Sequence, residues 1–153
     1  MNNIDNILLR AEQHCQQLGA RLTKKRKQVL SQLIQSNKAL SAYELIKIYK
    51  ECYNEKIPAM SAYRILDFLE GNRLVHKLDL ANKYVAAENI STDDTHNPQQ
   101  FLVCNSCSKV AKINLTPPTI TELNQTVKNS GFKLISPKIE VSCLCDNCKS
   151  ITA

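Results

Sequence analysis

Apolar residues recur every three or four positions from the start of the chain. Ile4, Ile7, Leu8, Ala11, Cys15 and Leu18 share one face of a helix over 3–18, and Gly19 stops it. The run RLTKKRKQVLSQLIQSN offers Thr23 as an N-cap and Val29, Leu30, Leu33 and Ile34 as a buried stripe. Ser41-Ala-Tyr-Glu44 has capping-box spacing and opens a third helix through Leu45, Ile46 and Ile48 to about Tyr53. A fourth helix is expected to start on Pro58, bury Ala62, Ile65, Leu66 and Leu69, and end at Gly71 or Asn72. The period then shortens towards two, and 74–78 and 83–86 read as strands around a turn at 79–82.

The second half mixes both periods. FLVCNSCSKVAKINL reads as two strands joined by a Cys-x-x-Cys knuckle. TPPTITELNQTVKNSG reads as a helix beginning near Thr116 or Thr119, ending at Gly131, with Ile120, Leu123 and Val127 as its apolar stripe. FKLISPKIEVSCLCDNC reads as a strand running into a second Cys-x-x-Cys pair. Helices followed by a hairpin have the order of a winged helix-turn-helix. The fold class is therefore α+β. A winged-helix unit is expected over 1–86, a hinge over 87–98, and a small α/β domain over 99–153.

Composition narrows the class. Hydrophobic residues make up 43% of the 153 residues, enough for a core, but aromatics are only 5%, so that core is mainly aliphatic. No apolar run approaches the ~20 residues that cross a bilayer. MNNIDNILLRAEQHC has no basic stretch leading into an apolar one, so a cytoplasmic protein without a membrane partner is expected. The charge is uneven. Residues 1–80 carry 13 Lys and Arg against 8 Asp and Glu, whereas 81–153 carry 7 against 6. A polyanion partner would therefore meet the N-terminal half.

In a winged helix the second helix of the motif enters the major groove. Arg64, opposite the apolar face of the fourth helix, suits a guanine edge, and the Tyr63 ring suits a thymine methyl. Arg21 and the run Lys24, Lys25, Arg26 and Lys27 suit phosphates, which fix register rather than sequence. Cations in a first helical turn oppose the helix dipole, a cost that phosphates opposite would offset. The plainer reading is a solvated basic turn.

Seven cysteines without a secretion signal point to metal or redox chemistry rather than a disulfide scaffold. Cys104, Cys107, Cys145 and Cys148 form two Cys-x-x-Cys pairs separated by 37 residues. Two such pairs supply four thiolates for a tetrahedral zinc with no open position, a site that holds a fold and does no catalysis. The competing reading is a pair of redox dithiols, making the protein a thiol oxidoreductase. Cys143 shares a strand side with Cys145 and is either a surplus thiol, the favoured reading, or a rival of Cys145 for the metal; Cys15 is read as buried. No Ser-His-Asp set, phosphate loop or His-Glu-x-x-His appears, so neither an enzyme nor a small-molecule substrate is expected.

RLTKKRKQVL, AYRILDFLEGNRLVHKL, THNPQQFLVCNSC and LCDNC together resemble the ferric uptake regulator family, and most of all its zinc uptake regulator branch. The likeness runs from AEQHCQQLGARLT to the last cysteine pair. It implies a homodimeric, metal-responsive repressor that dimerises through its C-terminal domain and binds inverted-repeat DNA operators. Tyr63 and Arg64 match the family's recognition-helix pair, and the four paired cysteines match its structural zinc ligands. Met60-Ser61-Ala62 stands where Pro-Thr-Val is usual.

The regulatory metal site matches less well. His76 and His96 stand at the histidine positions, but Ala87 replaces the expected cysteine and Lys112 the expected glutamate. Glu88, Asp93 and Asp94 are candidate substitutes, giving a harder site open to other divalent metals. Alternatively the metal switch is lost, and the protein answers to another signal or modulates a sister regulator through mixed dimers. The substitutions favour loss. The resulting expectation is a DNA-binding repressor of metal, chiefly zinc, homeostasis genes, with one structural zinc per subunit and an altered regulatory site.

Overall fold

In a computed structural model, residues 2–36, 38–87, 100–135 and 138–150 are described. The chain divides into two compact units, Met1–Asp93 and Asp94–Ala153.

The first unit contains α1 (Asn3–Gln17), α2 (Lys24–Gln35), α3 (Ala42–Tyr53), α4 (Ala59–Gly71), β1 (Val75–Leu78) and β2 (Lys83–Ala86). Local chemistry sets its boundaries. At the end of α1, Gly19 takes φ 73°, so Ala20 N–H reaches Cys15 O at 2.8 Å and Gly19 N–H reaches Gln16 O at 3.1 Å. That Schellman pair satisfies carbonyls that the helix leaves open. Thr23 Oγ1 accepts from Arg26 N–H at 3.4 Å, and Ser41 Oγ from Glu44 N–H at 3.1 Å, capping α2 and α3 as the sequence predicts. The Glu44 carboxylate pairs with Lys83 Nζ at 3.0 Å, tying α3 to the wing. Pro58 departs from expectation by one position. Its ψ of 145° is extended, so it is the N-cap and α4 begins at Ala59.

The apolar stripes meet in one core. Ala11 and Cys15 from α1, Val29, Leu30 and Leu33 from α2, Leu45 and Tyr49 from α3, and Ala62, Leu66 and Leu69 from α4 form it, with Leu74, Val75 and Tyr84 from the hairpin. β1 and β2 are antiparallel, with His76 opposite Val85. Leu40 extends this sheet, exchanging hydrogen bonds with Tyr84 at 2.9 and 2.8 Å. Gln32 is buried on α2 with neither amide atom hydrogen-bonded, and nothing in the structure explains it.

The second unit contains β3 (Gln100–Cys104), β4 (Val110–Ile113), α5 (Pro117–Asn129), β5 (Ile139–Cys143) and the short α6 (Asp146–Lys149). The sheet order is β4-β3-β5, antiparallel between β3 and β4 and parallel between β3 and β5. α5 begins at Pro117 with Thr116 as N-cap, and ends in a second Schellman pair around Gly131, φ 85°. The last strand is shorter than the sequence predicts. It starts at Ile139, two residues after Pro137, whose nitrogen has no hydrogen to give a ladder. The core here is thin. Among the described residues only Gln100, Phe101, Val103 and Cys104 of this unit are buried, and α5 buries none.

Candidate metal centre and nucleic-acid face

Two backbone turns bring the paired cysteines together. Cys104 ends β3, and the reversal to β4 is closed by Ser108 N–H on Cys104 O at 3.0 Å and Cys104 N–H on Lys109 O at 2.8 Å. Ser108 holds φ 64° to make that turn. Because β5 lies parallel to β3 with Cys143 in register with Cys104, the chain leaving β5 delivers Cys145 and Cys148 to the same end of the sheet. Asn105 N–H donates to Cys143 O at 2.8 Å, fixing the two turns against each other.

The Sγ atoms of Cys104, Cys107, Cys145 and Cys148 all lie within 4.8 Å of one another. Cys107 Sγ and Cys145 Sγ are 3.7 Å apart. A tetrahedron of thiolates with Zn–S arms of ~2.3 Å has edges of about 3.8 Å, so the donor set fits zinc in both element and size. Backbone donors favour the thiolate form. N–H groups of Cys107 and Cys145 aimed at Cys104, the latter at 3.4 Å from its sulfur, lower that thiol to about 6. Cys145 is lowered by the backbone of Cys148. Cys148 is held up at about 12 because its thiol is hydrogen-bonded to Cys145, where a further negative charge meets its neighbours'. Only a cation at the centre lets all four ionise together. Cys143 is half-buried and stands outside the converging four.

The candidate nucleic-acid residues lie on the first unit. Arg64 is exposed on α4, on the same outward face as Met60, Ser61 and Asp67. Tyr63 is half-buried and packs against the core edge, leaving only part of its ring outward. Arg21 and Lys24 are exposed. The rest of the basic turn is largely engaged within the protein, which sequence reasoning missed. Lys25 Nζ pairs with Glu55 at 2.8 Å, Lys27 Nζ with Glu12 at 3.0 Å, and Arg26 lies over the Phe68 ring. The Lys25–Glu55 contact depresses the Glu55 carboxyl and raises the Lys25 amine. No sequence signal pairs these residues, because each partner is on a distant element.

Of the expected regulatory ligands, His76 is half-buried on β1. Ala87 is buried, its N–H donating to Leu74 O at 2.9 Å, and Lys112 is half-buried on β4 opposite Phe101. His96, Glu88, Asp93 and Asp94 lie outside the described residues. No described helix is long and apolar enough to cross a membrane.

The model of the ferric uptake regulator family matches residues 17–142. The zinc uptake regulation protein of Escherichia coli K12 is 31% identical over 147 residues, covering 96% of this chain and 84% of that protein. Among solved structures, a zinc uptake regulator complexed with zinc and DNA has a TM-score of 0.82 at 27% identity, covering 99% of both chains. Holo XcZur has a TM-score of 0.75 at 29% identity, covering 95% of this chain and 99% of that one.

Proposed function

The chain belongs to the ferric uptake regulator family, and from that premise we propose that it is a DNA-binding transcription regulator, a cytoplasmic repressor of metal-homeostasis genes and not an enzyme. Its winged-helix unit presents Arg64 to a base edge and Tyr63 beside it, while Arg21, Lys24 and Lys25 meet phosphates; opening the exposed Lys25–Glu55 pair costs little. The zinc- and DNA-bound relative supports this reading over its whole length.

The observation that carries the proposal is the convergence of four sulfurs in a unit with so small a core. Cys104, Cys107, Cys145 and Cys148 would hold one zinc per subunit, which cross-links the end of β3 and the turn after it to α6 where apolar burial is insufficient. Phe132 and Ile135, 73% and 94% exposed, with Val141 and Leu144, leave apolar surface suited to a second copy of the chain. A homodimer with paired winged helices reads inverted-repeat operators. A thiol oxidoreductase would keep its dithiols reactive, whereas thiolates sharing one metal are inert.

The test is chelation of the purified protein followed by metal analysis. One zinc per subunit is expected to survive a weak chelator, and Cys104→Ser is expected to release it with loss of the folded dimer. A stable, dimeric, metal-free Cys104→Ser protein would sink the structural-zinc assignment. The second, regulatory metal site is read as altered, because Ala87 and Lys112 occupy two of its expected ligand positions.

A further inference from the structure

Arg26 stands in a basic turn that invites assignment to DNA phosphate, yet its side chain is committed inward. Its Cζ lies 3.6 Å from the centroid of the Phe68 ring, over the ring face. Its Nη1 donates to Arg21 O at 2.7 Å. Its own N–H is the group that Thr23 caps. Phe68 is half-buried against the core, and its carbonyl accepts from Asn72 Nδ2 at 2.8 Å at the end of α4. His14 Nε2 lies 3.0 Å from Asn72 O, anchoring that end to α1. One guanidinium therefore bridges the 18–23 connection, the start of α2 and the ring of a residue one turn beyond Arg64 on α4.

We propose that Arg26 is a positioning residue of the DNA-binding face: stacked on Phe68 and bonded to the Arg21 carbonyl, it holds the Arg21 segment in fixed relation to α4. The inference rests on the DNA-binding reading above. The planar, delocalised cation is what the arrangement requires. A lysine carries the same charge to a phosphate but has neither the flat face for the ring nor the fork that reaches the carbonyl at the same time. Register between a phosphate contact and a base-reading helix decides whether Arg64 meets its base. Losing the brace therefore lowers discrimination between sequences more than general attraction to DNA.

The experiment uses the zinc-loaded full chain, a duplex selected by the wild-type protein from a random pool, and an unselected duplex of equal length. Arg26→Lys is expected to cut affinity for the selected duplex by about threefold to tenfold. Its affinity for the unselected duplex and its salt dependence should stay unchanged. Phe68→Leu should give the same loss, Phe68→Tyr, which keeps the ring, should not, and the Arg26→Lys/Phe68→Leu double variant should lose no more than either single variant. Thermal unfolding of each variant separates misfolding from misplacement, and Phe68→Tyr keeps the comparison interpretable if Phe68→Leu is unstable. Full retention of selected-duplex affinity by Arg26→Lys, with a shallower salt slope in Arg26→Gln by about 0.9, would identify an ordinary phosphate contact and overturn the proposal. A wild-type protein that binds no duplex, or all duplexes equally, would overturn the DNA-binding reading and this inference together.

Discussion

Replacing Ala62 by valine should stabilise the winged-helix unit, and its magnitude follows from what surrounds that side chain. Ala62 is 5% exposed on α4 and lines a small cavity with Val29, Leu45, Ile46, Ile57 and Leu66, all of them aliphatic. Valine adds two carbons into that space. Burial at about 0.8 kcal/mol per carbon gives an upper bound of about 1.6 kcal/mol. The lower helix propensity of a β-branched residue removes about 0.6 kcal/mol. A net gain of about 1 kcal/mol remains, worth roughly 4–8 °C in the midpoint of a unit this size. Urea unfolding of the zinc-loaded protein, followed by helical circular dichroism, should show a higher midpoint at unchanged slope. DNA affinity should not move, because Ala62 faces inward while Arg64 faces out. A loss of 1 kcal/mol or more would mean that the site is already full and that valine overpacks it. The cavity would then have no bearing on why a small residue stands there.

Arg64→Ala should cost about 1–3 kcal/mol on the preferred duplex and much less on others, read by competition binding; equal loss on every sequence would make Arg64 a phosphate contact. Gln32→Met should raise stability by about 1–2 kcal/mol, because it removes a buried amide with no partner and nearly conserves volume, and a fall in the unfolding midpoint would show that the amide has a role. Alkali should weaken the first unit. Burial holds the Cys15 thiol and the Tyr49 and Tyr84 phenols above their ordinary values, so the unfolded chain loses these protons first. The stability they contribute is fully present below about pH 9 and is lost as pH rises through their folded values, and a midpoint flat from about pH 8 to 10.5 would refute this. His96→Ala should leave the metal dependence of DNA binding unchanged if the regulatory switch has been lost, and a large shift in a zinc titration would restore it.

What could be read from the sequence was whatever is decided within a few residues. Gly19 and Gly131 mark helix ends because each needs only its own positive φ and the turn before it. Thr23 and Ser41 cap because the donor lies three residues on. The four sulfurs were legible for a related reason, since each Cys-x-x-Cys turn pre-forms half the site and only one long-range step joins the halves. The basic turn failed on the same criterion. Glu12, Glu55 and Phe68, which engage Lys27, Lys25 and Arg26, sit on α1, the α3–α4 connection and α4, and only packing brings them there. The fourth helix starts one residue later than the sequence predicts because a proline's fixed φ serves an N-cap as well as a first turn, and ψ decides between them.

The four paired cysteines and the expected regulatory positions Ala87 and Lys112 carry different structural burdens. The four-sulfur cluster stands in for core, since among the described residues of its unit only those of β3 are buried, so losing any one ligand should threaten the fold. The expected regulatory positions are held differently. Ala87 is packed into the core of the first unit, and its backbone hydrogen bond to Leu74 continues the pairing of the hairpin. A methyl group there satisfies packing without a ligand atom. Lys112 is half-buried on β4, held by the pairing of that strand with β3 opposite Phe101. The second unit therefore leans on its cysteines, whereas Ala87 and Lys112 are accounted for by core packing and strand pairing.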